Sequence, residues 1–464
     1  MQQIQKHLYL ADCIDLLRDW YANGQTNFID LIYIDPPFNS NRNYNVLFDS
    51  KLTEEAFKDT WSSVSYLDEL EGIATMNPNL YNFLKMLEST GLPKSYISYL
   101  TKMSVRCWYM REMLKDTGSF YFHCDPTIGH YIKAILDYIF GISNFRNELI
   151  WHYSSMSRTK KDFPRKHDKI FRYSKTEAWV FNHEEIRVPY SKSTVDRASY
   201  GGTGFDKEKS KPGYLNTKGK IPDTVLNIPH IKGKEHLGYP TQKPEKLIER
   251  IILASSNEGD LIADFFMGGG TTIAVAEKLN RNWIGTDINY RALEITQKRI
   301  ESLHNKVKED FFIYGIPRSS EELRKLVDAN IIGTGKNSKF ELEEITVKYY
   351  LREHQVVGNT KKVGDNSIDG YFIFPYKGKQ RTGLVQITAG AGIGHMKAFC
   401  SEIGKGTGEM GVYVTFSDKV SPGMRREAKQ YGKIGHVDKI QILTYEELID
   451  EEKTFEKPKD ILTI

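Results

Sequence analysis

A chain of 464 residues, 40% hydrophobic and 27% charged, is too long for one ordinary core and is composed like a globular protein of two or three domains. No apolar run approaches the roughly 18 residues of a membrane span, and the amino terminus, Met1-Gln2-Gln3-Ile4-Gln5-Lys6, lacks the apolar core of a secretion signal, so a cytoplasmic protein with no membrane partner is expected. The net charge of +4 is uneven: residues 151–240 carry 18 Lys plus Arg against 10 Asp plus Glu, an excess of +8 that leaves −4 elsewhere, as a nucleic-acid footprint or a solvated loop region would.

His7-Leu8-Tyr9-Leu10-Ala11-Asp12 reads as a short strand ending in an acid, and Cys13–Trp20 as a helix by its apolar spacing. The run Phe28-Ile29-Asp30-Leu31-Ile32-Tyr33-Ile34 reads as a parallel strand buried on both faces, which completes a right-handed βαβ unit. Asp35-Pro36-Pro37-Phe38 then falls at the carboxyl end of that strand, where open α/β sheets bind ligands. Two prolines fix φ and leave carbonyls without competing N–H groups. A carboxylate, free carbonyls and an aromatic face together suit an exocyclic amino group on a flat heterocycle. Asp35 and the Pro36 carbonyl would accept the amino hydrogens while Phe38 stacks on the ring. A strand-ending turn with an aromatic plug would use the same residues.

Asn39–Tyr44 is polar and turn-rich, and the stretch to about residue 95 is irregular with short helices. Leu100–Leu114 reads as an amphipathic helix and Ser119–Cys124 as a strand. Asp125 and Pro126 suit the N-cap and first position of a helix that stops at Gly141, so His123 and Asp125 are assigned packing and capping. From 144 to 237 the periodicity fades. Trp151, Tyr153, Phe163, Phe171, Tyr173 and Trp179 interleave with Arg158, Lys160, Lys161, Arg165, Lys166 and Arg172, and a glycine-rich loop, Gly201-Gly202-Thr203-Gly204, follows. This segment is read as a DNA-recognition insert, the basic residues on phosphates and the aromatics stacking. Four scattered cysteines, Cys13, Cys107, Cys124 and Cys400, support neither a zinc site nor a disulfide framework.

Gly238-Tyr239-Pro240-Thr241-Gln242-Lys243-Pro244 leads into a helix from Glu245. Leu261-Ile262-Ala263-Asp264 is a strand that runs through Phe265, Phe266 and Met267 into Gly268-Gly269-Gly270-Thr271-Thr272, a glycine loop opening a helix. The next strand ends at Asp287, where a carboxylate grips ribose hydroxyls. A dinucleotide would need G-x-G-x-x-G, but Gly268-x-Gly270 continues into Thr271, Thr272 and Ile273 with no third glycine. S-adenosylmethionine has no diphosphate to hold: Asp287 would take its ribose, Asp12 its adenine, and the glycine loop its methionine part.

The segments Asp35–Tyr44, Gly118–Asp125, Tyr239–Pro244 and Asp264–Thr272 resemble the motifs of the β-type, circularly permuted adenine-N6 DNA methyltransferases, over about residues 6–304. The resemblance implies a Rossmann-like α/β sheet of seven strands in permuted order, with the strands ending at Asp35 and Asp264 as neighbours. Its catalytic domain is 1–143 with 238–306, and its recognition insert 144–237. By matching position, Asp35, Pro36, Pro37 and Phe38 hold the target adenine. Asp12, Thr241, Gln242, Lys243, Pro244, Asp264, Phe266, Gly268, Gly270, Thr271 and Asp287 line the pocket for S-adenosylmethionine, with no metal. Double-stranded DNA is the implied partner, with a homodimer and a cognate restriction component left open. Where the family has proline after the acid of the glycine motif, this chain has Phe265. Serine in place of aspartate at the first motif position tends to accompany cytosine-N4 activity, so Asp35 favours adenine.

After a linker at 307–338, residues 339–464 read as a second, smaller α/β region. Strands at 366–374 and 383–388 are joined by a Lys377-Gly378 turn, and a third follows at 411–415. This region resembles a restriction-endonuclease-type domain, with Asp369, Gln386 and Glu341 at the Mg²⁺-ligand positions. Thr388 stands where that family has lysine, so a nuclease fold that has lost cleavage is expected.

Overall fold

The computed structural model describes residues 6–37, 66–153, 160–199, 215–231, 233–237, 239, 241–303, 311–328, 341–351, 354–358, 368–390 and 392–459. The chain divides into two compact units, residues 1–50 with 57–315 and residues 51–56 with 316–464.

The first unit is built on a nine-stranded sheet. In chain order its strands are β1 (Lys6–Leu10), β2 (Ile29–Ile34), β3 (Leu114–Cys124), β4 (Phe145–His152), β5 (His167–Ser174), β6 (Val225–Asn227), β7 (Leu261–Asp264), β8 (Asn282–Asp287) and β9 (Phe312–Tyr314). Their spatial order is β6-β4-β5-β3-β2-β7-β8-β1-β9. From β3 to β9 every pairing is parallel, which buries both faces of the central strands. Accordingly β2 is apolar apart from Asp30, with Leu31, Ile32, Tyr33 and Ile34 all buried. β2 pairs directly with β7, Leu31 opposite Ile262 and Ile32 opposite Ala263, so the strand tips bearing Asp35 and Asp264 lie side by side, as the resemblance implies. β1 and β2 are parallel as expected, but β7 and β8, which come from beyond the insert, lie between them.

Among the described residues the sheet has nine strands rather than the expected seven: residues 144–237 supply three of them, and the other six include β9, which falls in the segment expected to be linker. β5 runs antiparallel to β3, β4 antiparallel to β5, and β6 parallel to β4. That changes the reading of the insert's aromatics: Trp151, Tyr153, Phe171 and Tyr173 are buried in the sheet rather than offered for stacking. Arg172, 3% exposed, lies over Phe181 and donates to the Val180 carbonyl. Phe163, 94% exposed, stands instead beside exposed Lys160, Lys161 and Arg165 between β4 and β5. Arg158 and the Gly201–Gly204 loop lie outside the described residues.

Helices cover the sheet. Cys13–Ala22 starts on Asp12, whose side chain accepts from the Ile14 amide, and buries Cys13, Ile14, Leu17 and Trp20 at helical spacing. The expected helix at 100–114 spans Lys94–Met113 and is buried around most of its circumference, Ser98, Thr101, Lys102, Ser104 and Arg106 included. The next helix begins at Gly129, with Ile128 rather than Asp125 at its N-cap; Asp125 Oδ1 instead accepts from the Thr127 and Ile128 amides and closes the turn that leads into Gly129–Phe140. No described helix is long and apolar enough to cross a membrane.

The second unit holds β10 (Val357–Gly358), β11 (Gly370–Tyr376), β12 (Lys379–Ile387), β13 (Met410–Thr415), the short hairpin of β14 (Lys433–Ile434) and β15 (Val437–Asp438), and β16 (Ile440–Thr444). Its main sheet, β10-β11-β12-β13-β16, is antiparallel through β12 and parallel from there on. β11 and β12 meet at Lys377 and Gly378, both at positive φ, the two-residue turn the sequence signals.

Candidate functional site

The neighbouring tips of β2 and β7 place Asp35 and Asp264 in one corner of the sheet. Pro36 is buried and Pro37 exposed; Phe38 and the loop Asn39–Tyr44 lie outside the described residues. The Asp35 side chain is 14% exposed, and its two oxygens differ. Oδ2 is held by the ammonium of Lys243, whose side chain is 11% exposed. Oδ1 is buried with no hydrogen-bond partner among the described residues. A buried carboxylate oxygen without a donor costs free energy, so the corner is built to receive one.

On the β7 side, Asp264 accepts from the Phe266 amide at 3.0 Å and from Thr272 Oγ1 at 2.6 Å. Its burial, with a smaller contribution from the charges of Asp35 and Asp287, pushes its carboxyl up to about 7. Phe266 is half-buried. Phe265, which stands in place of the family's proline, is 2% exposed and packs edge-on to Trp20 with ring centroids 6.2 Å apart, so this departure is filled by core packing.

The glycine loop turns through positive φ at Gly268 (48°) and Gly270 (67°). Its shape is fixed from three sides. Asp287 Oδ2 accepts from the Gly268 amide at 2.9 Å, while Oδ1 accepts from the Asn289 amide at 2.9 Å. Arg299, which carried no signal in the sequence, donates to the Gly269 carbonyl, Thr271 Oγ1 and Glu245 Oε1. Tyr239 lies against the loop, where a Cβ on Gly268 would sit 3.0 Å from its ring. Burial and the nearby acids Asp287 and Asp35 hold the Tyr239 hydroxyl protonated. Burial also raises the Asp287 carboxyl, to about 6, against the backbone hydrogen bonds that favour its charge.

The turn before the helix Glu245–Ser255 divides its residues by task. Gln242 is 8% exposed and braces the turn, accepting from the Leu237 amide and donating to the Glu235 carbonyl. Thr241 is exposed, Pro244 is buried, and the Lys243 carbonyl accepts from Thr271 Oγ1 at 3.2 Å. Thus Lys243, assigned to the donor pocket by sequence, places its ammonium on the base-side carboxylate. Asp12 lies beyond Asp287, where the Ala11 amide donates to the Asp287 carbonyl. Both Asp12 oxygens already accept from buried Arg106, at 3.0 and 2.8 Å, besides capping their helix. Arg106 sits mid-helix, where the sequence shows only one more residue that favours helix.

In the second unit, Asp369 Oδ2 accepts from the Ile387 amide at 2.7 Å and from the Gln386 side-chain amide. Gln386 is fully buried, Thr388 is 8% exposed, and Glu341 is half-buried. Among the described residues, no three His, Cys, Asp or Glu side chains are grouped to hold a metal ion.

A family model described as DNA methylase, for N6 and N4 enzymes, matches residues 29–298. Over 344 residues the chain is 28% identical to the Type II methyltransferase M.HpaI of Haemophilus parainfluenzae, an alignment covering 72% of this chain and 90% of that one. It is also 28% identical over 277 residues to the DNA adenine methyltransferase YhdJ of Escherichia coli (strain K12), covering 59% of this chain and 76% of that one. A crystal structure of M1.HpyAVI in complex with SAM overlays 63% of this chain and 98% of its own at 19% identity, with a TM-score of 0.38.

Proposed function

This chain belongs to the N6/N4 DNA methylase family and is a DNA methyltransferase; from that premise we propose that it methylates the N6 amino group of an adenine flipped out of double-stranded DNA. The observation that carries this reading is the buried, unpartnered Asp35 Oδ1 at a strand tip adjacent to the one bearing the glycine loop. S-adenosylmethionine supplies the methyl carbon on a sulfonium, already a good electrophile. The residues fit it: Asp35, Asp264 and Asp287 make the corner electronegative, as a cationic ligand requires, and Gly268 to Gly270 let the chain pass close to it. Asp287 keeps acceptor capacity for ribose hydroxyls beyond its two backbone bonds.

The protein's own work is positioning and electrostatics. Asp35 Oδ1 and the Pro36 carbonyl accept the amino hydrogens, which turns the nitrogen lone pair toward the methyl carbon and stabilises positive charge as it develops. Lys243, on Oδ2, holds the carboxylate in place. The base reaches the corner only after leaving the stack, and Phe38 replaces part of the lost stacking. The permuted chain order and the pocket roles of Asp12, Thr241, Gln242, Pro244, Phe266 and Thr271 belong to the same reading.

Cytosine N4 is a chemically equivalent amino group, and Asp35 rather than serine favours adenine. Transfer of labelled methyl from S-adenosylmethionine to plasmid DNA, followed by nucleoside analysis, is expected to give N6-methyladenine. N4-methylcytosine would reverse the base assignment, and no label in any DNA would reject the reading. The second unit is read as a nuclease-type fold without cleavage, since an amide occupies Asp369 and Thr388 replaces the lysine. The same plasmid with Mg²⁺ and no methyl donor is therefore expected to stay supercoiled.

Donor affinity should also fall at acid pH. The Asp287 carboxyl, raised to about 6, loses its charge as pH drops through that value, and with it the ability to accept from both ribose and loop. Binding is expected to weaken by roughly tenfold per pH unit below 6, the limit for one required ionisation. At this one carboxyl the linkage to folding has the opposite sign: raised on folding, it opposes folding above its folded value, and that cost disappears as pH falls toward the unfolded value. Titrating donor affinity between pH 8 and 5 tests the loss of binding, and an affinity that stays level down to pH 5 would contradict it.

A further inference from the structure

One connection of the insert stands on the same edge of the sheet as the catalytic corner. β2 pairs with β3 as far as Ile34 opposite Phe122, and β3 pairs with β5 as far as Cys124 opposite Lys169, so β5 enters the sheet at the edge where β2 ends in Asp35. β5 lies two strands from β2, about 10 Å away at the usual spacing of strands. β4 leaves the sheet at that edge too, with His152 opposite His167, and the Tyr153 amide extends the pairing by donating to the Lys166 carbonyl at 3.1 Å. Residues 160–166, the described part of the connection from β4 to β5, therefore lie at the rim of the site.

The segment runs Lys160-Lys161-Asp162-Phe163-Pro164-Arg165-Lys166, with four cations to one acid. Lys160, Lys161 and Arg165 are exposed and form no ion pair among the described residues. Phe163, between them, is 94% exposed. The exposed Trp179 and Phe181 of the insert carry guanidiniums over their rings, Arg146 at 3.6 Å and Arg172 at 4.7 Å from the centroids, whereas Phe163 has neither ring nor cation over its face among the described residues. A phenyl ring left in water contributes nothing to the fold. Set among unpaired cations, it suits a ligand that is anionic outside and aromatic inside, as a DNA duplex is.

We propose that Phe163 is a wedge that enters the duplex at the target base pair and fills the gap left by the flipped adenine, while Lys160, Lys161 and Arg165 hold the flanking phosphates. The inference rests on the methyltransferase reading, in which the base must leave the stack, and goes beyond it by naming the residue that takes the vacated place. Apolar side chains inserted between base steps offset the cost of unstacking, and a ring does so at any sequence because every base has a π-face. Pro164 supports the role: its ring fixes its own φ and disfavours helical backbone at Phe163, which stiffens the chain that carries the wedge.

The test is Phe163→Ala in the full chain. Because the ring is in solvent, melting temperature and donor affinity are expected to stay as in the wild type. Single-turnover transfer of labelled methyl to plasmid DNA should fall by about tenfold to a hundredfold, the scale of one base–aromatic stack. The deficit is then measured on two synthetic duplexes that carry the site methylated in the plasmid, one with the target adenine paired and one with an abasic position opposite it. An unpaired base costs less to extrude, so on the second duplex Phe163→Ala is expected to regain most of the rate that the wild type shows there. An equal deficit on both duplexes overturns the proposal, since a contact that only binds DNA would give that result. Binding to a short random-sequence duplex is expected to keep its salt dependence in Phe163→Ala, and to lose about 0.9 from the slope of log K against log salt in Lys161→Ala and in Arg165→Ala; unchanged slopes in both cation variants also overturn it. Self-association that Phe163→Ala abolishes while transfer stays intact would make the ring a protein contact and overturn the wedge alone. Absence of methyl transfer by the wild type would reject the underlying reading, and the wedge with it.

Discussion

Replacing Asp35 by asparagine is expected to cut single-turnover methyl transfer by roughly 10²–10³-fold, the scale for losing one preorganised polar group at a developing charge, while donor affinity stays within about fivefold. Asparagine keeps the shape of the side chain but is neutral, and presents an acceptor on one atom only. Whichever way the amide turns, either Lys243 or the incoming amino group meets an N–H instead of an oxygen. Alanine would be a poorer probe. It leaves the Lys243 ammonium, 11% exposed, without its carboxylate, and breaking a buried pair from one side costs about 3–5 kcal/mol, which mixes stability with chemistry. Rapid-quench transfer of labelled methyl, calorimetric donor binding and a thermal melt on the same preparation separate the effects. Turnover near the wild-type rate with intact binding would remove Asp35 from the reaction.

Asp35 was legible because its signal is local. A run of apolar residues ending in Asp-Pro-Pro states both a buried strand and a rigid tip, and Asp264 and Asp287 stand out in the same way, each as an acid ending a strand. The adjacency of β2 and β7 is different in kind. Nothing within either strand specifies which of several parallel neighbours it takes, so only the resemblance to a family supplied it. Charged residues inside helices were the least readable. Arg106 and Arg299 look like solvated positions by composition, yet each is nearly buried and holds a loop or an acid of the site through hydrogen bonds made across long sequence separations. The aromatics of the insert failed for a related reason. Trp151, Phe171 and Tyr173 are interleaved with basic residues in the sequence, but the antiparallel register of β4, β5 and β3 turns them into the sheet and leaves most of the basic residues outside. Interleaving along a strand is also the pattern of a half-buried sheet, and the sequence alone does not separate the two.

Gly270→Ala is expected to be the most damaging single change in the donor half that removes no functional group. Gly270 sits at φ 67°, where an L-residue costs about 1–2 kcal/mol. An added Cβ would also lie 2.4 Å from Thr296 Oγ1, on the buried side of the helix Tyr290–Leu303. Thr296 is fully buried and donates to the Gly268 carbonyl, so it cannot swing away without releasing the loop. Overpacking of this kind costs a further ~1–3 kcal/mol. Whatever relaxation occurs moves the Gly268 amide off Asp287, so donor affinity should drop by more than about tenfold together with the melting temperature. Gly259→Ala isolates the backbone part, because Gly259 has φ 82° and a Cβ added there would meet nothing within 4 Å. It should lower the melting temperature by less and leave donor binding unchanged. Thr296→Ala in the Gly270→Ala background should return part of the stability by making room, and less of the affinity, since the bond to Gly268 is then gone. Equal effects of Gly270→Ala and Gly259→Ala would mean that close packing against the helix is not what shapes the donor loop.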